Sequence, residues 1–116
     1  SMEQNVVVLV KSNPEESHRP VEAIRIGLGL LSGDHKVSVI LLDKAPLLLG
    51  DKAEDLVDGE DLDKFLPPYR ELEQTFYVEK EALNRANLTE SDYSITPISM
   101  EEVSNMIAQA DRHLIF

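Results

Sequence analysis

The chain has 116 residues, with 22 Asp and Glu against 11 Lys and Arg, a formal net charge of -11, and no cysteine. That length suits one folding unit with one core. Acidity of this degree argues against nonspecific binding to a phosphate backbone, which needs clustered Lys and Arg, and the missing thiol excludes disulfides, thiolate nucleophiles and thiolate metal sites.

Hydrophobic residues make up 42% and charged residues 28% of the chain, as in globular proteins. No apolar run approaches the roughly 18 to 20 residues of a bilayer span, so no membrane segment is expected. The start lacks the basic patch, apolar stretch and cleavage site of a signal peptide, and Ser1-Met2 reads as a tag remnant before an initiator methionine. A cysteine-free chain without an export signal fits the cytoplasm. The acidity serves solubility or docking onto a basic partner.

Asn5 to Lys11, NVVVLVK, is a β-branched apolar run too continuous for a strand with one wet face, and it predicts a buried parallel strand. After polar residues Ser12 to Arg19, Pro20 occupies a first helical position and Glu22 suits the positive end of a helix. Val21, Ile24, Leu28 and Leu31 then share one helical face, and Gly33 closes the helix. Lys36 to Leu42, KVSVILL, is a second buried strand ending at Asp43. Strand, helix, strand implies a right-handed crossover and a parallel sheet with helices on its faces.

Pro46 to Leu49 predicts an apolar turn or short helix, a candidate contact surface. Asp51 to Asp63 is strongly acidic between breaks at Gly50 and Gly59, and a mobile surface excursion is expected there. Leu62, Phe65 and Leu66 suggest a helical turn that Pro67-Pro68 interrupts before Tyr69 and Leu72. Thr75 to Val78 has strand composition, Lys80 to Ala86 reads as a short helix, and Ser94 to Ile98 is a fourth strand whose Pro97 favours an edge. Ser99 and Glu102 form a capping box for a helix with Val103, Met106, Ile107 and Ala110 on one face, and His113 to Phe116 is a closing strand. The sum is an α/β chain: one three-layer domain over residues 1–116, with a mostly parallel sheet of about five strands flanked by helices, flavodoxin-like or Rossmann-like.

Gly27, Gly29 and Gly33 lie at the middle and end of a helix, not at a strand-to-helix junction where amides cradle phosphate, so close packing explains Gly27 and Gly29. Candidate ligand-binding residues sit at carboxyl ends of strands, where open parallel sheets hold ligands. They are Ser12, Asn13, Ser17, His18 and Arg19 after the first strand, Asp43 after the second, and Glu79, followed by Glu81, after the third. A hydroxyl, an imidazole and a guanidinium can bind an anion or assist proton transfer, and two carboxylates can act as acid and base. A solvated loop and helix capping account for the same residues. His18, His35 and His113 have no metal-ligand spacing, His35 reads as a turn residue, and no catalytic grouping, metal site or cofactor site stands out.

The opening VVVLVKSNP, the stretch VEAIRIGLGLLSGDHKVSVILLDKA, the segment FYVEKEALNRANL and the closing ISMEEVSNMIAQADRHLIF together resemble the DsrE/DsrF family of small sulfur relay proteins, over nearly the whole chain. The resemblance implies a DsrE-type fold. In the family's sulfur carriers a cysteine near the end of the third strand accepts sulfur as a persulfide, and the following helix ends in an Arg-Gly-type turn. Here Glu79 stands within a residue or two of that cysteine's place, Asn87 stands where the turn glycine is expected, and Asp43-Lys44-Ala45 replaces a common Asp-Gly-Val. The closing helix and strand look most like non-carrier members such as DsrF and TusC. The resemblance therefore implies a non-catalytic or scaffolding subunit in sulfur relay, forming homo- or hetero-oligomers with DsrE-like proteins. The alternative is a small-ligand-binding module or enzyme using the loop after the first strand.

Overall fold

The computed structural model describes residues 2–88 and 90–116; the expected tag residue Ser1 lies outside them. Five strands, β1 (Asn5–Val10), β2 (Lys36–Leu41), β3 (Thr75–Glu79), β4 (Ser94–Ile98) and β5 (Arg112–Ile115), form one sheet in the order β4-β3-β2-β1-β5. Every pairing is parallel, so the sheet is wholly and not merely mostly parallel. The apolar run of β1 lies at its interior, paired with β2 on one side and β5 on the other.

Alternate residues of each strand feed two cores, as the pleat requires. The larger contains Val6, Val8 and Val10 of β1, Val39 of β2 and Phe76 of β3, packed against Val21 and Ile24 of α1 (Arg19–Ser32). Each fully buried aliphatic side chain there stabilises by about 1.5–3 kcal/mol. On the other face Val7, Leu9, Ile40 and Ile98 meet Val103 of α5 (Met100–Gln109). That helix begins with the expected box: Ser99 Oγ accepts from the Glu102 N–H, and Glu102 Oε1 from the Ser99 N–H, both at 3.1 Å.

Between β2 and β3 the chain makes three short 3-10 turns, then α2 (Leu62–Phe65) and α3 (Pro67–Glu71); α4 (Lys80–Ala86) links β3 to β4. The first turn, Ala45–Leu49, places Ala45, Leu48 and Leu49 in the larger core and buries Pro46 as well, so the expected contact surface is an interior element. Continuous apolarity marked burial inside the chain there, not against a partner. The acidic excursion is tied down by the Val57 N–H, which donates to the Pro14 carbonyl at 3.1 Å, and by buried Gly59 and Leu62.

Tyr69 joins these layers. Its hydroxyl donates to the Ile24 carbonyl of α1 at 2.7 Å, and its ring centre lies 5.0 Å from that of Phe76. A β-carbon at Gly27 would overlap the Tyr69 hydroxyl, which gives this glycine its close-packing role. Gly29 differs from expectation: it is exposed, and nothing stands within 4 Å of where its β-carbon would be. Helical spacing turns Gly29 away from the sheet, while Gly27 faces the interior. Gly33 caps α1 at an ordinary φ of -86°, and Asp34, at φ 67°, takes the left-handed turn.

Burial pushes the pKa of Tyr69 well above its ordinary 10.0. An unfolded chain releases this proton near pH 10 while the folded chain retains it. The stability that depends on the neutral phenol is thus complete below pH 10 and falls above it, by about 1.4 kcal/mol per pH unit. Tyr69→Phe should cost about 1 kcal/mol at neutral pH through the lost hydrogen bond and flatten that alkaline decline. Gly27→Ala should cost about 1–3 kcal/mol by overpacking, and less in the Tyr69→Phe background. Urea denaturation of the double-mutant cycle at pH 7 and pH 11 measures both effects.

Candidate functional site

Parallel strands deliver their carboxyl ends to one edge of the molecule, and the expected site residues all lie near it. The loop after β1 is largely committed to local structure. Asn13 Oδ1 accepts from the Glu15 N–H at 3.0 Å, and Ser17 Oγ from the Arg19 N–H at 3.1 Å. The N–H groups of Lys11 and Ser12 both donate to the Phe116 carbonyl, at 2.8 and 3.2 Å. Arg19 Nη2 donates to the Ile115 carbonyl at 2.8 Å, with its guanidinium 5.5 Å from the centre of the Phe116 ring. His18 is exposed at the start of α1, and its side chain makes no capping bond. Ser12 and Arg19 thus meet at the closing segment, where they dock it.

Asp43 follows β2 in a left-handed conformation at φ 53°, while Lys44 has an ordinary φ of -94°. Asp43 borders a recess of about 230 Å³ with Glu15, Lys44, Leu47, Arg85 and Ala86. Next to it, sharing Glu15, Leu47 and Ala86, lies a groove of about 680 Å³. Leu47, Gly50, Leu56, Ala86 and Leu88 give the groove its apolar surface, and Glu15, Asp51, Asp55 and Glu90 its acidic one, with Lys52 the cation among the lining residues. Glu15 is paired with Lys44 at 3.5 Å. The other six expected residues line neither cavity. The groove residues escaped the sequence reading because they come from separate stretches: Glu15 after β1, Leu47 and Gly50 at the first 3-10 turn, the excursion, and the end of α4. Gly50, read only as a break, and the left-handed Asn87, at φ 51°, read as standing in the place of a turn glycine, were the signals.

Glu79 ends β3 and caps α4. It is 8% exposed, with Oε2 accepting from the Glu81 N–H at 2.7 Å and Oε1 from the Ala82 N–H at 3.1 Å. A carboxylate here meets the partial positive charge of the helix start and satisfies two orphan amides at once. Those amides are thereby closed to any other anion. Both oxygens are thus held by backbone. Among the described residues no three His, Asp or Glu side chains come together to hold a metal ion.

The family model described as the DsrE/DsrF-like family matches residues 4–116. The chain belongs to the DsrE/DsrF-like family. The crystal structure of the YchN protein from E. coli superimposes with a TM-score of 0.77 at 15% identity, covering 99% of this chain and 100% of that one. At that identity the likeness establishes the fold, a DsrE-like α/β sheet. No curated protein matches. No helix among the described residues is long and apolar enough to cross a membrane. The family is associated with sulfur relay, and this member has no cysteine.

Glu79→Ala should cost about 1–2 kcal/mol, the value of an N-cap whose removal leaves two amides unmet. Glu79→Asp should retain part of the difference. Chemical denaturation at pH 7 checks both; a neutral effect of the alanine variant would show that solvent satisfies the amides equally well.

Proposed function

We infer that the chain is a non-carrier DsrE/DsrF-like subunit that supports sulfur transfer in the cytoplasm without holding sulfur itself. One observation carries this reading: at the junction of β3 and α4, near where the family's carriers place a persulfide cysteine, the helix start is occupied by the Glu79 carboxylate. A persulfide needs a thiolate sulfur to form on, and the chain's sulfur atoms are those of three methionines. The role left to such a member is structural: completing an assembly with a cysteine-bearing DsrE-like chain, as the likeness of its closing helix and strand to DsrF and TusC suggests.

A second reading, ligand binding at the carboxyl ends of the strands, draws support from the 680 Å³ groove and the Asp43 recess beside it. In that reading the loop residues Ser12, Asn13, Ser17, His18 and Arg19 and the capping Glu79 shape the edge on which the ligand rests. A ligand bound to the folded state would raise the melting temperature by mass action, so thermal-shift screening with nucleotides, sulfur compounds and acyl compounds tests it directly.

For the first reading, intact-mass spectrometry after incubation with a cysteine desulfurase and its substrate should show no added sulfur on the wild-type chain. Glu79→Cys should gain a single sulfur atom that dithiothreitol removes. A cysteine-bearing DsrE-like partner should co-elute with the wild-type chain and pass sulfur onward at a changed rate. Sulfur added covalently to the wild-type chain, or no association with such a partner, would overturn this role.

A further inference from the structure

The groove and the recess beside Asp43 meet across Glu15, Leu47 and Ala86, which line both. Leu48 and Leu49 of the first 3-10 turn enter the larger core, whereas Leu47 is partly buried and belongs to neither core. Leu47 and Ala86 therefore form an apolar waist between two openings. The walls are tied in place: the Val57 N–H holds the excursion to the Pro14 carbonyl, and the Ser91 hydroxyl donates to the Leu49 carbonyl at 3.1 Å. A groove of about 680 Å³ falls within the span of small-molecule sites, about 300–1,000 Å³.

Each opening carries carboxylate that has no ionic partner. In the recess Glu15 pairs with Lys44 at 3.5 Å and Arg85 with Glu81 at 4.0 Å, which leaves Asp43 as the unpaired charge. In the groove Asp51, Asp55 and Glu90 are exposed, and among the described residues none of them takes part in an ion pair. These acids are too dispersed to chelate, since no three His, Asp or Glu side chains among the described residues come together to hold a metal ion. An anion fares no better: the chain carries a net charge of -11, and the amides at the start of α4 are already held by Glu79. What fits is a cation whose charges are set apart along an apolar body.

We propose that the groove and recess together bind an aliphatic diamine or polyamine, its hydrocarbon spacer lying on Leu47 and Ala86, with one ammonium group at Asp43 and another among Asp51, Asp55 and Glu90. The inference rests on the second reading above, ligand binding at the carboxyl ends of the strands, and names the class of ligand. An ammonium group only donates hydrogen bonds and an ionised carboxylate only accepts them, so the two match without a competing group on either side. Methylenes buried at the waist supply affinity that salt does not screen, whereas pairing with exposed carboxylates is weak and salt-dependent. Spacer length and charge therefore act on binding in separable ways.

Titration calorimetry on the intact chain at pH 7 with octamethylenediamine tests it. One diamine should bind per chain, at least about fivefold more weakly when NaCl rises from about 20 to about 200 mM. It should bind at least about fivefold more tightly than trimethylenediamine, which carries the same charges on a shorter spacer. Asp55→Asn combined with Glu90→Gln should weaken binding at least about threefold and flatten its salt dependence, while Leu47→Asn should weaken it with the salt dependence unchanged. Glu71→Gln, at the exposed end of α3 and outside both cavities, should leave it as it was. No binding of the diamine, equal binding of the two diamines, or an equal loss with Glu71→Gln overturns the proposal, as does a lysine tetrapeptide that binds more tightly than either diamine. If the diamines fail while a nucleotide, sulfur compound or acyl compound raises the melting temperature, ligand binding at this edge stands and the amine class falls; if none does, both fall.

Discussion

A parallel sheet must return each strand by a crossover and must keep both faces from water, and the rest of this molecule follows from that double requirement. Moving from β1 through β2 and β3 to β4 in one direction places three right-handed connections on a single face. The return to β5, on the far side of β1, sends the remaining connection, α5, to the other face. One face therefore carries an extensive core clasped by Tyr69, and the other a small core under a single helix. The same topology gathers the loops after β1, β2 and β3 at one edge, where the groove lies.

At that edge the start of α4 is closed by a carboxylate. A helix start needs an anion or an acceptor, and Glu79 supplies one with two short bonds to backbone amides. The family's scaffold is retained, and the chain has no thiol on which a persulfide could form.

Much of the fold was legible because its signals are local. The β-branched run of β1, the Ser99 and Glu102 box and Pro97 on the edge strand β4 each report on their own few residues, and each stands where the pattern placed it. The apolar turn at Pro46 was legible as apolar but not as interior, since periodicity cannot say which surface covers a short segment. The candidate site was legible only in place. Residue type marked Ser17 and Arg19 as binding groups, but the Ser17 hydroxyl bonds the backbone of its own loop and the Arg19 guanidinium the carbonyl of Ile115. The long-range pairing of Arg19 leaves no trace in spacing. Leu56, Asn87 and Glu90 come together only because the excursion folds back beside α4.

The pairing of β1 with β5 has a consequence for biosynthesis. The Asn5 N–H donates to the Asp111 carboxylate at 2.8 Å across a separation of 106 residues, so β1 has no β5 beside it until more than that many further residues have left the ribosome. Until then a run of four apolar residues, Val6 to Leu9, presents an open edge to other nascent chains. Translation speed between β1 and β5, and chaperone occupancy of that edge, would bear on how long it stays open.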